Sequence, residues 1–599
     1  MAIWRRDPGR SRPAGTSQPD LGPASPGGTV DVKSRRRRSL LAKLIVAFTA
    51  GVGVIAAVVV IVVLLGTGGS PPASPATGAA SVVPGDALAY IHLSIDPARP
   101  AVKRALALVG RFPAYPMLSA AQSARLRALF GTSGSDDFAT EIRPWLGKEA
   151  ALALLGRGAA VTASLIVLDV SDRPRARAFL NRARVIPAGT YAGTSLLRTP
   201  SGVQIAFVGH YLAVGPDADV RAAIDVAAGR RPSLQSSSAY QQAAAGEPPD
   251  RVLDAYASAT GVQRLLATKR GLLGALGALL YRPALLGSSV SVSPPPGVSA
   301  RSGASLQVRV RLHSALDPAL ARVGAAGSTK FEPTLQRMIP AGSPVMLDIT
   351  DLARVAPGVL GAGAAAGVAG GVAPLLARLG SALGAEGVAV HDIVSLFDGE
   401  TVLALAPGAP ASRSRSLPPP AGSRTGGRSR APTLVIVTRT ANEALARMEL
   451  AALESPLAQL FPAPTSGPGQ TPEFNDRQVD GITAHQLSLA PGLEFDYAVF
   501  YGLVVVSTSL DGIAGVVEHA RSLPMDPGYQ ATLGAHPQRV SSLLYLDFGQ
   551  LLRLGAQTGL TRGPRSRAVR RDLAPIRAVG VTSTIGQSDR TTELVFQVR

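Results

Sequence analysis

The chain has 599 residues, 46% of them hydrophobic and 17% charged, enough apolar material for two or more cores of ordinary size. It has no cysteine, which excludes structural disulfides, thiolate metal sites, haem thioether links and thiol nucleophiles. Its formal charge of +20 is unevenly spread, and no nucleic-acid-binding motif accompanies it, so the charge points to topology and solvated loops rather than to nucleic acid.

Residues 1–43 form a basic tail, expected to be disordered and cytoplasmic. The next stretch, Leu44 to Leu65, is "LIVAFTAGVGVIAAVVVIVVLL", without a charge. At about 1.5 Å per residue it spans roughly 33 Å, against a hydrocarbon core of about 30 Å. A transmembrane signal-anchor helix is expected there, with Leu44, Val54, Val60 and Leu65 in contact with lipid. Arg35, Arg36, Arg37, Arg38 and Lys43 stand just before it, and "GTGGSPPASPATGAASVVPG" after it carries no basic residue. The positive-inside rule then keeps the N-terminus in the cytoplasm and exports the bulk of the chain. The apolar run exceeds the roughly 7–15 residues of a cleaved signal peptide, so an uncleaved anchor is the preferred reading. Residues 66–80 read as a flexible linker.

Beyond the linker, a series of segments recurs in one order. "VPGDALAYIHLSID" (Val83 to Asp96) resembles "IPAGSPVMLDITD" (Ile339 to Asp351). "WLGKEAALAL" (Trp145 to Leu154) resembles "LFDGETVLAL" (Leu396 to Leu405), and "SLIVLDVSDRPRARAFLNRA" (Ser164 to Ala183) resembles "TLVIVTRTANEALARMELAA" (Thr433 to Ala452). The strand–turn–helix at Gly209 to Asp225 matches Tyr501 to Glu518, Asp250 to Leu266 matches Gln538 to Leu554, and Ser305 to Ser314 matches Thr591 to Arg599. Each match is weak; the shared order implies two tandem modules. They are placed at 81–316 and 335–599, joined by a connector at 317–334, with a disordered insertion at 408–431. That insertion includes "SRSRSLPPPAGSRTGGRSR" (Ser412 to Arg430), five arginines without an acid.

The alternating runs at Thr194 to Gly215 and Thr483 to Ser507 read as meanders of two or three strands, with turns at Thr-Pro-Ser-Gly, Gly-His-Tyr and Ala-Pro-Gly. The expected fold is therefore α+β: two tandem related modules with largely antiparallel sheets and helices covering one face, preceded by one transmembrane helix. Whether the two sheets join is left open. Glu149 and Glu400 fall at equivalent strand starts in separate modules, which points to a structural role rather than a catalytic pair.

The N-terminal anchor, "VVPGDALAYIHLSID" and "DFATEIRPWLGKEAALAL" (Asp137 to Leu154), with Pro144 to Gly147 the most specific element, resemble the bacterial family called domain of unknown function 3352. The second module departs from that element, with "VSLFDGE" and no tryptophan. The resemblance implies a membrane-anchored envelope protein and supplies no catalytic residues.

Catalytic signatures are sparse. The seven histidines show no metal-ligand spacing, and a surface or structural role is expected for each; His391–Asp392 sets a histidine beside a carboxylate in sequence. No nucleophile elbow, S-x-x-K or phosphate-binding loop is present, and "GAGAAAGVAGG" (Gly361 to Gly371) lacks the Lys-Ser/Thr that phosphate cradling needs. No catalytic, metal or cofactor site is assigned. "GLLGALGALLYRPALLG" (Gly271 to Gly287) reads as an apolar helix, with Leu272, Leu273, Leu276, Leu279 and Leu280 as candidate contacts for a lipid or a partner. "LLARLGSALG" (Leu375 to Gly384) is a second amphipathic stretch. These features favour a single-pass protein of the cell membrane, a non-enzymatic envelope binding or scaffold protein. Its expected partners are the bilayer and an envelope lipid, an anionic polymer or another envelope protein. The alternative is an extracytoplasmic hydrolase with an unrecognised active site.

Overall fold

A computed structural model describes residues 75–109, 138–157, 160–264, 284–294, 306–319, 330–352, 396–407, 432–459, 473–490, 493–518, 521–557 and 573–599. The expected spanning segment 44–65, its basic flank and the insertion 408–431 lie outside them. Among the described residues no helix is long and apolar enough to cross a membrane.

The first ten strands are β1 (Ala89–Ser94), β2 (Leu146–Arg157), β3 (Ala160–Val170), β4 (Ile186–Tyr191), β5 (Thr194–Arg198), β6 (Gln204–Val208), β7 (Tyr211–Gly215), β8 (Leu253–Ser258), β9 (Leu285–Ser293) and β10 (Leu306–Leu316). The next ten are β11 (Val345–Thr350), β12 (Glu400–Ala406), β13 (Thr433–Arg439), β14 (Phe474–Val479), β15 (Ile482–Ala490), β16 (Leu493–Phe500), β17 (Leu503–Ser507), β18 (Ser542–Asp547), β19 (Ile576–Ile585) and β20 (Asp589–Val598). They form one antiparallel sheet. Its first half runs β4-β5-β6-β7-β3-β2-β1-β8-β9-β10. The second half continues β20-β19-β18-β11-β12-β13-β17-β16-β15-β14, the same order read outward from the join. The join is β10 against β20, from Leu306 opposite Val598 to Ala315 opposite Asp589. The two sheets therefore unite, each half contributing its last strand.

Both faces are covered, not one as expected. Neighbouring residues on β3 show why: Leu165 and Val167 pack under helix α3 (Asp217–Ala227), while Leu168 and Val170 pack on the other side under α2 (Arg173–Arg182). With both side-chain rows apolar, the central strands need cover twice. At the join, one core takes Val102 and Leu108 of α1 (Pro100–Val109), Val292 and Val310 of the first half, and Phe548, Val579 and Phe596 of the second.

Three other expectations change. The meanders have four strands, because β4 and β14 precede the runs read from sequence. Ala192-Gly193 and Asp480-Gly481 make their two-residue hairpins, with φ of 50° and 77°, and 49° and 83°. The end of the apolar stretch Gly271 to Gly287 is strand, since Leu285 opens β9 and its alternating Ser/Val residues continue the ladder. The folded region also begins inside the expected linker: Gly78–Ser81 is a 3₁₀ turn whose Ala79 and Ala80 are buried, and in the expected connector Phe331 bridges to Val540.

The Pro-Trp-Leu-Gly element shapes a corner. Trp145 is buried against Phe179, with ring centroids 5.6 Å apart, and its indole N–H donates to the Glu141 carbonyl at 2.9 Å. Two residues on, a Cβ on Gly147 would lie 2.1 Å from an Asp169 carboxylate oxygen, which instead accepts from the Lys148 N–H at 2.6 Å. Replacing Trp145 by alanine should cost about 3–5 kcal/mol in urea unfolding, through the cavity and the lost contacts; a loss under about 1 kcal/mol would show that the corner tolerates the gap.

Candidate functional site

Glu149 opens the regular part of β2 and faces the side covered by α3. Its Oε1 accepts from the Tyr211 hydroxyl at 2.7 Å and its Oε2 from the Ala79 N–H at 3.3 Å, which ties down the first 3₁₀ turn. Glu400 performs the same task in the second half. It accepts from the N–H groups of Thr334 and Leu335, at the start of the 3₁₀ turn Leu335–Met338, and from the Thr334 hydroxyl at 2.5 Å. Arg439 pairs with it at 3.2 Å. Nine strand spacings separate β2 from β12, about 40 Å along the sheet. The two carboxylates are matching anchors, not a catalytic pair.

Around Glu149 sequence-distant groups converge. His92, fully buried on β1, puts Nδ1 2.9 Å from Asp254 Oδ1 on β8. Its Nε2 lies 3.2 Å from Glu149 Oε2, within ion-pair reach but poorly aligned for a hydrogen bond. Arg251 pairs with Asp254 at 3.0 Å and with Glu247 at 2.9 Å. Burial alone would lower the His92 pKa; hydrogen bonds and charges from Asp254 and Glu149 outweigh it and hold the imidazolium up to about 9. Burial likewise works against both carboxylates, but His92 holds each below its usual value, aided by Tyr211 at Glu149 and by Arg251 at Asp254. Glu247 is pushed up to about 7, by burial and then by the Asp254 charge. Two cations thus face two carboxylates and a third that is half protonated near neutrality.

The same register position in the second half carries a different solution. Where His92 lies between Ala151 and Asp254, Asp348 lies between Val402 and Leu543. Asp348 is fully buried, neither carboxylate oxygen has a hydrogen-bond partner, and burial, then the Glu400 charge, raises its pKa to about 9. It is a neutral acid at physiological pH.

The remaining helices longer than one turn among the described residues are α4 (Ser238–Ala243), α5 (Glu443–Gln459), α6 (Leu510–Glu518), α7 (Pro527–Leu533) and α8 (Phe548–Gln557). A pocket of about 400 Å³ lies where α7, α8 and the β19–β20 ends meet, lined by Arg553, Arg577 and Arg599 among others.

The remaining sequence candidates are placed as follows. Leu44, Val54, Val60, Leu65, Arg35 to Arg38, Lys43, and Leu272, Leu273, Leu276, Leu279 and Leu280 lie outside the described residues, as do His391, His519 and both glycine-rich and amphipathic stretches between 361 and 384. His210 is exposed, His536 is half-buried, His313 meets Thr591 at 3.0 Å, and His485 pairs with Asp476 at 2.9 Å. No group of three or more metal-ligating side chains occurs among the described residues. Sequence reasoning missed the His92 cluster because its partners are separated by up to 162 residues. The one available signal was alternation: His92 and Asp254 each occupy an inward position of an apolar strand.

The family model described as "Protein of unknown function (DUF3352)" matches residues 47–598. The chain belongs to this family. No curated protein matches it in sequence. Among solved structures, crystal forms III and I of TP0453 are 11% and 10% identical to it, covering 41% and 43% of this chain and 85% and 89% of theirs, with TM-scores of 0.22 and 0.23. Overlap that weak carries no argument about this family member.

The sign of the pH dependence follows from the shifts. His92, raised above its unfolded value of 6.5, contributes fully below that value, and the contribution is lost as pH rises through about 9. Glu149 and Asp254, depressed, contribute above 4.5 and 3.8 and lose it as pH falls through their lowered values. Asp348, a raised acid, instead costs stability increasingly from 3.8 up to about 9. Asp348→Asn should match the wild type near pH 4 and exceed it at pH 8 by on the order of a few kcal/mol in denaturant unfolding; parallel pH profiles would refute the buried neutral acid. His92→Ala leaves the buried Glu149 without a cation and Asp254 with Arg251 alone, and should cost about 3–5 kcal/mol at pH 6, measured the same way.

Proposed function

We propose that this chain is a single-pass, membrane-anchored extracytoplasmic protein with a non-enzymatic binding or scaffold role in the cell envelope. The observation that carries the non-enzymatic part is the sealing of the His92–Asp254–Glu149 cluster. It is a dense gathering of acid–base groups, and its three residues are at most 4% exposed. A hydrolytic site needs its base within reach of substrate and water. Here the groups satisfy one another and a 3₁₀ turn instead. The uncharged run Leu44 to Leu65 and the basic residues before it support the anchor and its orientation.

The halves are two copies of one module, on this reading. The repeated sequence order, the repeated strand order and the paired roles of Glu149 and Glu400 support it. So does the matching tyrosine pair, Tyr256 and Tyr545, on β8 and β18.

Flotation of full-length chain in host membranes after carbonate washing tests the anchor. The chain should float, and deleting residues 44–65 should release it. Protease added outside intact cells with the outer layers removed should degrade everything beyond residue 75 and spare a tag placed at the N-terminus. A tag that is digested while the C-terminal region survives would reverse the orientation, and a chain that washes off would overturn the anchor.

A further inference from the structure

We propose that the pocket between α7, α8 and the β19–β20 ends binds a phosphate-bearing molecule of headgroup size. This sharpens the binding role proposed above and rests on that reading only for where the ligand comes from. Arg553 on α8, Arg577 on β19 and Arg599 after β20 line the cavity of about 400 Å³, and none of the three pairs with a carboxylate among the described residues. Two aspartates also line it, each held by local N–H donors rather than by a guanidinium. Asp526 Oδ1 accepts from the Gly528 N–H at 2.7 Å, and Asp547 accepts from the backbone and side-chain N–H groups of Gln550 at 2.8 and 2.9 Å. The guanidiniums are left to an external anion. A phosphate offers each a bidentate acceptor edge. The volume exceeds that of a bare ion, and Leu552 and Ile576 supply apolar wall for the carbon part of a ligand.

The internal repeat separates what the fold requires from what it does not. Arg577 is the extra residue of a β-bulge: Ile576 faces Val598, Ala578 faces Gln597, and Arg577 faces nothing. The first half has the same bulge, where Leu285 faces Leu316 and Gly287 faces Ala315, leaving Leu286 unpaired. There the bulged side chain is a leucine packed on the core. The residue after the last strand is Asp317 where the second half has Arg599, and its carboxylate caps the local backbone at Ala319. Both positions are thus compatible with uncharged or acidic residues. The fold sets the bulge, and the second half alone fills it with a cation aimed at a cavity.

The test uses full-length chain in nanodiscs of phosphatidylcholine at low ionic strength, titrated calorimetrically with inorganic phosphate and with glycerol 3-phosphate. Glycerol 3-phosphate should bind with a submillimolar Kd, more tightly than inorganic phosphate. Arg577→Leu, which installs the residue of the matching bulge, and Arg599→Ala should each weaken it at least tenfold with unchanged melting temperature. Arg264→Ala, at the first-half position matching Arg553, should leave it unchanged. Nanodiscs containing phosphatidylglycerol then identify the source: competition with the soluble probe assigns a lipid headgroup, and undiminished binding assigns a soluble phosphate ester. Absence of binding by the wild type, or equal binding by Arg577→Leu and Arg599→Ala, overturns the pocket. It leaves the anchor, which flotation reports, untouched.

Discussion

The pairing of β10 with β20 is the constraint on which the rest of the architecture depends. Without it, each half would end in a strand of ten or eleven residues with the backbone groups of one edge unpaired, an invitation to intermolecular pairing. With it, two sheets become one, and a shared core forms beneath the join from residues more than 400 positions apart in sequence, Val102 and Phe596 among them. The outer edges have no such cover and are defended differently. β4 carries Pro187 and a bulge before Thr190, and β14 presents Asn475, Asp476, Arg477 and Gln478 to solvent. The molecule closes its dangerous edges against each other and blunts the two that remain.

The same doubled frame explains how two buried ionic arrangements can differ so much. Glu149 and Glu400 do one job, accepting from the backbone of a 3₁₀ turn that would otherwise leave its first N–H groups unpaired. Once a carboxylate is buried for that purpose, its neighbours must accommodate it. The first half supplies His92, which brings in Asp254, which needs Arg251 in turn, and the network grows until its charges balance. The second half supplies Arg439 from the surface and leaves Asp348 to shed its charge by binding a proton. Both are answers to the cost of an uncompensated buried ion.

Much of this organisation was legible in the sequence, and the limits were physical. The repeated strand order showed because strands and helices of like pattern recur in like order. The structural reading of Glu149 and Glu400 followed from that order alone. The edge strands β4 and β14 were missed although Ala-Gly and Asp-Gly mark their turns, because their own alternation is faint: four of the six residues of each are exposed and none is buried. The join was hidden because antiparallel partnership between β10 and β20 depends on edges meeting in space, which neither segment encodes locally. His92 and Asp254 were hidden for the same reason. Each looks like an isolated polar residue in an apolar strand until β1 and β8 are laid side by side.

A repeated fold gives its own control for assigning roles. Features that appear in both halves, such as the twin glutamates, the 3₁₀ turns and the bulges at Leu286 and Arg577, answer demands that the frame makes twice. A feature in one half only must be explained by something else. For His92 that explanation is internal, since Asp254 and Glu149 flank its ring nitrogens as counter-charges and exclude solvent. For Arg553, Arg577 and Arg599 no internal explanation is at hand: none of them ion-pairs with a carboxylate among the described residues, and Leu286 demonstrates that the bulge packs well without a charge. Charge that stability does not require, gathered around a cavity, is better explained by what enters the cavity than by the protein that surrounds it.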